Sequence, residues 1–420
     1  MQSDNVSSIV STTHSSGRWP SPVDFWETAR TIGLPAALWR LPNQQTKHLI
    51  VSFDEVVPRV SADLEELPAG FLVSPFDNFN SDTASPAQTL FLRADIQAIF
   101  SDAEPTHVTV TPGETADQFS DLLAKQPEHN SHVSLVAPTP IADPEAEAQY
   151  IANVAEAVSA MQRGEFRKVV LSRTKQLQFD DAPNAVALFD KLCKKYPTAF
   201  ISAVSIPEKG QIWISATPER LVSIDANGIF QTNALAGTQS AFESDGTMKR
   251  PSEAMWSQKE IEEQALVSRY IIECFKRIRL REYIEEGPKT VVAGNLMHLG
   301  SSFTVDTQAV RYPQLGTVML RLLHPTSAVC GTPRDVAVNF IRQHENHDRD
   351  LYSGFLGPVN TGTASESPAS DLFVHIRCMK LEGTLATLYA GAGLTEYSVP
   401  EREWQETELK CQTLLSVIID

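Results

Sequence analysis

The segment LYAGAGLTEYSVPEREWQETELK, residues 388–410, constrains this chain more than any other, because it sets a glycine-rich turn just ahead of a helix. On a 3.6-residue period Glu403, Glu406 and Lys410 share one face, while Trp404, Cys411 and Leu415 point the other way. Such a helix buries its apolar side and presents two carboxylates and an ammonium on the other. That face suits a hard divalent cation. It equally describes a solvated surface carrying weak intrahelical ion pairs.

The chain has 420 residues, enough for two domains or one large α/β unit. Its net charge of −17 and the lack of a long basic run argue against a nucleic-acid partner. The five cysteines, Cys193, Cys274, Cys330, Cys378 and Cys411, are scattered without a C-x-x-C pair, so neither a disulfide framework nor a zinc knuckle is expected. Buried thiols in a reducing compartment fit them better. The amino terminus is polar with no apolar h-region, and no stretch approaches the roughly 18 apolar residues of a membrane span. A cytoplasmic protein is expected, without a membrane partner.

Residues 1–20 read as a mobile tail, and residues 21–144 as short apolar runs such as HLIVSF and TLFLRA broken by Pro, Asp and Ser. VAPTPIADP, residues 136–144, reads as a linker, and the region from 145 to 420 carries the chemistry. There Ile151, Val154, Ala155, Val158 and Met161 form an apolar helical stripe that Gly164 ends. The strand KVVLSR follows, with Lys168, Val170 and Ser172 on one side and Val169, Leu171 and Arg173 on the other. QIWISA runs into Thr217, Pro218 and Glu219, where the proline stops the ladder.

A long helix over 252–280 shows an apolar face of Ile261, Ala265, Ile272 and Phe275, with Glu260 and Glu263 opposite. A strand over VVAGNLMHLGSSFTV and a Pro- and Gly-bearing loop, LLHPTSAVCGTP, come next. Thr332 reads as the N-cap and Pro333 as the first residue of a helix to about Arg342. DLFVHIRCMKL and TLATLYA read as two final strands.

Several polar residues here exceed what structure alone needs. Lys168, hemmed by Val169, Val170 and Leu171, is either an edge-strand gatekeeper or a buried base whose pKa desolvation lowers. Glu219 at a strand end is either a turn carboxylate or a site residue. H-E-N-H at 344–347 lacks the i, i+4 histidine pair of a zinc-protease helix and reads as a helix end. Glycines in GAG (391–393) and in ALAGT (234–238) are read as backbone nests for a substrate carboxylate.

Taken in order, FRKVVLSR, SATPERL, ALAGT, the acidic helix after Lys259, HLGSSF, LLHPTSAVCGTP, DRDLYSGFLG, HIRCMKL, LYAGAGL and EREWQETELK resemble the chorismate-utilising enzymes, most closely the isochorismate synthases. The resemblance spans about residues 145–420. It implies an α+β fold of two stacked, largely antiparallel sheets with helices packed outside, and a monomer. It also implies a magnesium-dependent enzyme, with Mg²⁺ as its one cofactor and chorismate as its small-molecule substrate. The implied product, isochorismate, feeds siderophores, quinones or salicylate.

Residue by residue, the resemblance implies that Lys168 activates a water for attack at C2 and that Glu219 protonates the departing C4 hydroxyl. Glu263, Glu403 and Glu406 are implied to hold Mg²⁺. Gly237, Thr238, His298, Tyr352, Arg377, Gly391, Gly393 and Lys410 are implied to surround the substrate, with Arg377 on a carboxylate. His324 also aligns with a family histidine, and for it and His298 a packed structural role is an equal reading. The amine-transferring relatives usually lack the lysine at 168, so water is favoured over ammonia as the nucleophile.

The chain departs from the family pattern at Glu262 and Gln264, where relatives often carry histidines, and at Ser327, where a proline is common. Gly300 sits where residue size is expected to bear on pyruvate loss. Salicylate synthesis and a catalytically silent homologue stand as alternatives.

Overall fold

Short apolar runs pair into two antiparallel sheets stacked face to face. The structure, a computed structural model, describes residues 19–77, 88–101, 104–127, 137–243, 245, 247–293, 296–362 and 368–419. The tail expected over residues 1–20 falls outside these, but for Trp19 and Pro20.

Among the described residues the first sheet has eleven strands. From one edge it runs through Gly331–Thr332, Lys168–Gln178, Leu385–Leu394, Cys378–Glu382, Gln211–Thr217 and Phe200–Ile206, then through Ala36–Arg40, Lys47–Val51, Ile96–Ser101 and Glu104–Val110. The eleventh, Thr139–Pro140, pairs with Lys168–Gln178, so the stretch read as a linker is part of the sheet. The second sheet has nine strands, in the order Ile284–Ala293, Leu296–Asp306, Ile229–Ser240, Arg220–Ile224, Ser370–Val374, Phe355–Val359, Gly70–Ser74, Thr89–Arg93 and Arg59–Val60.

Trp39, Phe71, Phe200, Trp213, Phe373 and Tyr389 fill the space between the sheets. Helices cover the outer faces: Pro22–Thr31, Ala185–Lys195 and Pro400–Ile418 lie on the first sheet, and Gln258–Arg277 and Leu315–Leu323 on the second. Helices Ala146–Gln162 and Arg334–His344 close the end near Lys168. This is the sandwich the resemblance implies.

Several sequence expectations need correction. DLFVHIRCMKL is two strands in different sheets, broken at His375–Arg377, where Arg377 takes a φ of 50°. Leu388–Gly393 is strand, not turn, and the helix after it begins with Pro400 in its first turn. Pro333 is the N-cap of helix Arg334–His344, while Thr332 belongs to a two-residue strand. Helix Leu315–Leu323 was not foreseen.

The stripe over 151–161 is rotated, since helix Ala146–Gln162 buries Tyr150, Val154, Ala157, Ala160 and Met161 and exposes Ala155. Gly164, at a φ of 78°, does end it. All five cysteines are free. Among the described residues no helix is long and apolar enough to cross a membrane.

Candidate active site

At the end of the sandwich near Lys168, four carboxylates, three lysines and an arginine come together from distant parts of the chain. Lys168 opens strand Lys168–Gln178, which lies one strand in from the sheet edge. Its neighbours Val169 and Leu171 point into the helix-covered core, as the alternation predicts. Lys168 itself is 0% exposed, which excludes the gatekeeper reading. Its Nζ lies 3.1 Å from Glu263 Oε1, within ion-pair reach but without hydrogen-bond alignment.

Glu263 corrects the reading of its helix. Helix Gln258–Arg277 buries Glu263, Gln264, Val267, Ile271, Cys274 and Phe275, whereas Ile261 and Ala265 are exposed. Its carboxylate is held by two groups from elsewhere. One is Lys168. The other is the Gly237 N–H, which donates to Glu263 Oε2 at 3.3 Å.

Gly237 has a φ of 71° and lies at an irregularity in the pairing of Ile229–Ser240 with Leu296–Asp306. The ALAGT nest is therefore a strand bulge, and a protein carboxylate already uses its N–H. Glu260, by contrast, caps the helix by accepting from Ser257 N at 2.7 Å.

Gly391 and Gly393 are in-strand residues opposite Ser172 and Val170. They replace the expected nest with close approach. A Cβ on Gly393 would lie 2.0 Å from Glu263 Oε1, and one on Gly391 would lie 2.7 Å from the Tyr352 hydroxyl. Tyr352 stacks on Tyr389, and burial pushes its phenol well above its usual pKa.

Glu219 is buried on the crossing from strand Gln211–Thr217 to strand Arg220–Ile224. Burial raises its pKa to about 7; Lys168, Arg377 and Lys410 pull it down and Glu263 pushes it up. Glu219 therefore stands within the electrostatic reach of three cationic side chains and one carboxylate. Arg377 is buried on the reverse crossing, at a φ of 50°, and no hydrogen bond or ion pair to a side chain ties its guanidinium down among the described residues, which leaves it to Tyr352, Glu406 and Glu219 at longer range. Burial holds it below its usual pKa, opposed by Tyr352, Glu406 and Glu219.

Helix Pro400–Ile418 delivers the face read from its period. Glu403, 2% exposed, accepts from Lys259 Nζ at 2.7 Å through Oε1, while its buried Oε2 has no partner. Glu406 pairs with Lys410 at 2.8 Å and lies 3.8 Å from Lys259. Lys410 also donates to the Gly391 carbonyl at 2.7 Å. Burial raises the pKa of Glu403, as does Glu406, against Lys259. For Glu406 burial also pushes up, but Lys410 and Lys259 outweigh it and the pKa falls. The solvated-face reading of this helix does not hold.

His298 Nδ1 donates to the Gly237 carbonyl at 2.7 Å, with Thr238 Oγ1 at 3.5 Å. Burial lowers its pKa to about 3, so the ring is neutral and its buried Nε2 is an acceptor without a partner. His324, held by the Pro75 carbonyl at 3.2 Å and packed edge-on to Phe355, is structural. Gly300 lies two residues along its strand from His298, and a Cβ there would meet Val291 Cγ2 at 2.8 Å and Leu235 Cδ1 at 3.3 Å on the neighbouring strands.

The fit of a divalent cation is mixed. The carboxylates are hard oxygen donors, and Glu403 Oε2 is a buried acceptor lacking a donor. Yet among the described residues no three His, Cys, Asp or Glu side chains stand close enough to hold a metal ion. Ammonium groups hold the acids instead.

Two features escaped the sequence reading. One is Lys259, whose only local signal is that a lysine in the first turn of a helix opposes the macrodipole. Glu345 and Arg349 form a buried pair at 2.6 Å. Glu345 accepts from Ser172 N at 2.6 Å, and Arg349 donates to the Val170 and Val329 carbonyls at 2.8 Å each, fixing the strand that carries Lys168.

Residues 90–419 match the family model described as chorismate binding enzyme. The isochorismate synthase EntC of Escherichia coli is 29% identical over 266 residues, covering 63% of this chain and 65% of that protein, short of two thirds of its length. The salicylate biosynthesis isochorismate synthase of Pseudomonas aeruginosa is 32% identical over 269 residues, covering 63% of this chain and 54% of that protein. Among solved structures, MenF, the menaquinone-specific isochorismate synthase of Escherichia coli, superposes with a TM-score of 0.70 at 22% identity, over 92% of this chain and 89% of that one. The family match begins well before residue 145, where the motifs become legible.

Proposed function

The chain belongs to the chorismate-binding enzyme family, and on that premise we propose that it is a magnesium-dependent isochorismate synthase. Chorismate enters the volume bounded by Lys168, Glu219, Arg377 and Lys410, and water replaces its C4 hydroxyl by attack at C2. Atoms balance without a redox partner, since one water adds and one leaves.

Lys168, as the neutral amine left once its own proton has gone, is the base that takes a proton from the attacking water. Glu219 is the acid, because burial lifts its carboxyl to about 7 and so keeps a proton available to give near neutral pH. Each such group is typically worth about 10² to 10⁴ in rate. Arg377, with its guanidinium unpartnered, binds a substrate carboxylate through its planar fork. The His298 Nε2 lone pair accepts from a ring hydroxyl, and Tyr352 closes the pocket beside Gly391. Glu403 and Glu406, with Glu263, are the residues to hold Mg²⁺. When bound, the cation offsets the charge of a dianionic substrate in an acidic protein.

The observation that supports this reading is the burial of Lys168, Glu219 and Arg377, with both cations acting on the Glu219 carboxyl. Proton NMR of purified protein with chorismate and Mg²⁺ tests it, with isochorismate expected to accumulate. Salicylate with pyruvate identifies a salicylate synthase, ammonia-dependent anthranilate removes both readings, and no conversion leaves a silent homologue.

A further inference from the structure

We propose that Lys259 is the built-in counter-ion of the Glu403–Glu406 pair, and that a divalent cation binds there by displacing it. The inference rests on the magnesium reading above and adds the residue that sets the cation's affinity.

Each of the three acids assigned to the metal is matched by one ammonium. Lys168 lies 3.1 Å from Glu263, Lys259 2.7 Å from Glu403, and Lys410 2.8 Å from Glu406. Each of these acids therefore already has a lysine nitrogen against it, and a divalent ion reaches the Glu403–Glu406 pair only when the lysine between them moves aside. Lys259 is the one placed to leave. Lys168 is enclosed, and Lys410 is tied by a second bond to the Gly391 carbonyl.

Lys259 sits between both acids of the C-terminal helix, 2.7 Å from Glu403 Oε1 and 3.8 Å from Glu406 Oε2. It borders a cavity of about 540 Å³ lined also by Ser257, Gln258, Tyr397 and Glu403, which gives the ammonium room to swing and the cation a way in. The partnerless Glu403 Oε2 marks a coordination demand that one ammonium does not meet. The position of Lys259 against its own helix dipole adds to the case, because the acid pair alone keeps the charge there.

Calorimetric titration of Mg²⁺ into metal-stripped protein, without substrate, tests this with Lys259→Met and Lys259→Arg. Lys259→Met is expected to bind Mg²⁺ at least about tenfold more tightly, because it removes a unit positive charge lodged against both acids. Lys259→Arg is expected to stay near wild type. Metal-free Lys259→Met is expected to melt below wild type and to gain more from added Mg²⁺, by mass action. Unchanged or weaker Mg²⁺ binding in a folded Lys259→Met overturns the proposal. If that variant folds only with Mg²⁺ present, the proposal is supported, and Lys259→Gln supplies the affinity. Wild-type protein without saturable Mg²⁺ binding removes the magnesium reading together with this proposal; normal wild-type binding with an indifferent Lys259→Met removes this proposal alone.

Discussion

Glu219 and Arg377 stand on two of the crossings by which the chain passes between the sheets, and the backbone ties those two crossings together. The Val374 N–H donates to the Glu219 carbonyl at 2.9 Å, and the Ala216 N–H to the Arg377 carbonyl at 3.0 Å. Thr217 Oγ1 adds a bond to the Val374 carbonyl at 2.7 Å. The proposed acid and the proposed carboxylate clamp are thus held by strand ladders rather than by loops, which limits how far either can drift.

Replacing Arg377 is expected to separate binding from stability. In Arg377→Asn the KM for chorismate rises about ten- to hundredfold, the usual worth of a charged hydrogen bond. The melting temperature holds or increases, since asparagine tolerates the left-handed backbone and a buried, unpartnered guanidinium leaves the fold. A clear fall in melting temperature with KM unchanged would make Arg377 structural.

Lys168→Ala is expected to lower turnover by about 10² to 10⁴. Mg²⁺ binding should persist. Initial rates by NMR and calorimetry on the same preparation decide, and turnover within a few-fold of wild type removes the nucleophile-activating role.

The acid role of Glu219 carries a pH signature. The free enzyme's kcat/KM is expected to fall as pH rises through about 7, where Glu219 loses its proton. Glu219→Gln should be slow and lack that limb. Stability follows the same sign. The folded state binds the proton more tightly than the unfolded chain, so this group's contribution declines as pH climbs from about 4.5 toward 7. A limb that survives in Glu219→Gln belongs to another group.

Gly393→Ala drives a methyl group into the Glu263 carboxylate. Overpacking of this kind costs about 1 to 3 kcal/mol, and displacing Glu263 from Lys168 is expected to lower turnover by about 10². Gly113→Ala is the control: nothing lies within 4 Å of its added Cβ, and a change within about 0.5 kcal/mol is expected. Equal urea midpoints for the two variants would show that the Glu263 contact is slack.

Local pattern revealed the elements whose chemistry follows their own period. Val169 and Leu171 alternate with Lys168 and Ser172, and Glu403, Glu406 and Lys410 recur on one helical face, so both segments could be read with the polar side correctly placed. Glu263 could not. Its helix has Ile261 where an apolar face should be, yet the helix turns that residue to solvent and buries the carboxylate, because Lys168 and the Gly237 N–H wait beneath it. Arg377 was hidden inside an apparently continuous strand for a related reason: only the presence of two sheets makes a break at that point useful.

By itself the amino-acid sequence determined the family, the mixed sandwich and the residue types offered to the site, since these depend on period, order and spacing along the chain. Which charges face each other was decided by the tertiary structure alone. Sequence periodicity reports what a segment buries, whereas an ion pair between Lys168 and Glu263, or between Lys259 and Glu403 with 144 positions separating them, depends on a distant partner that no local pattern encodes.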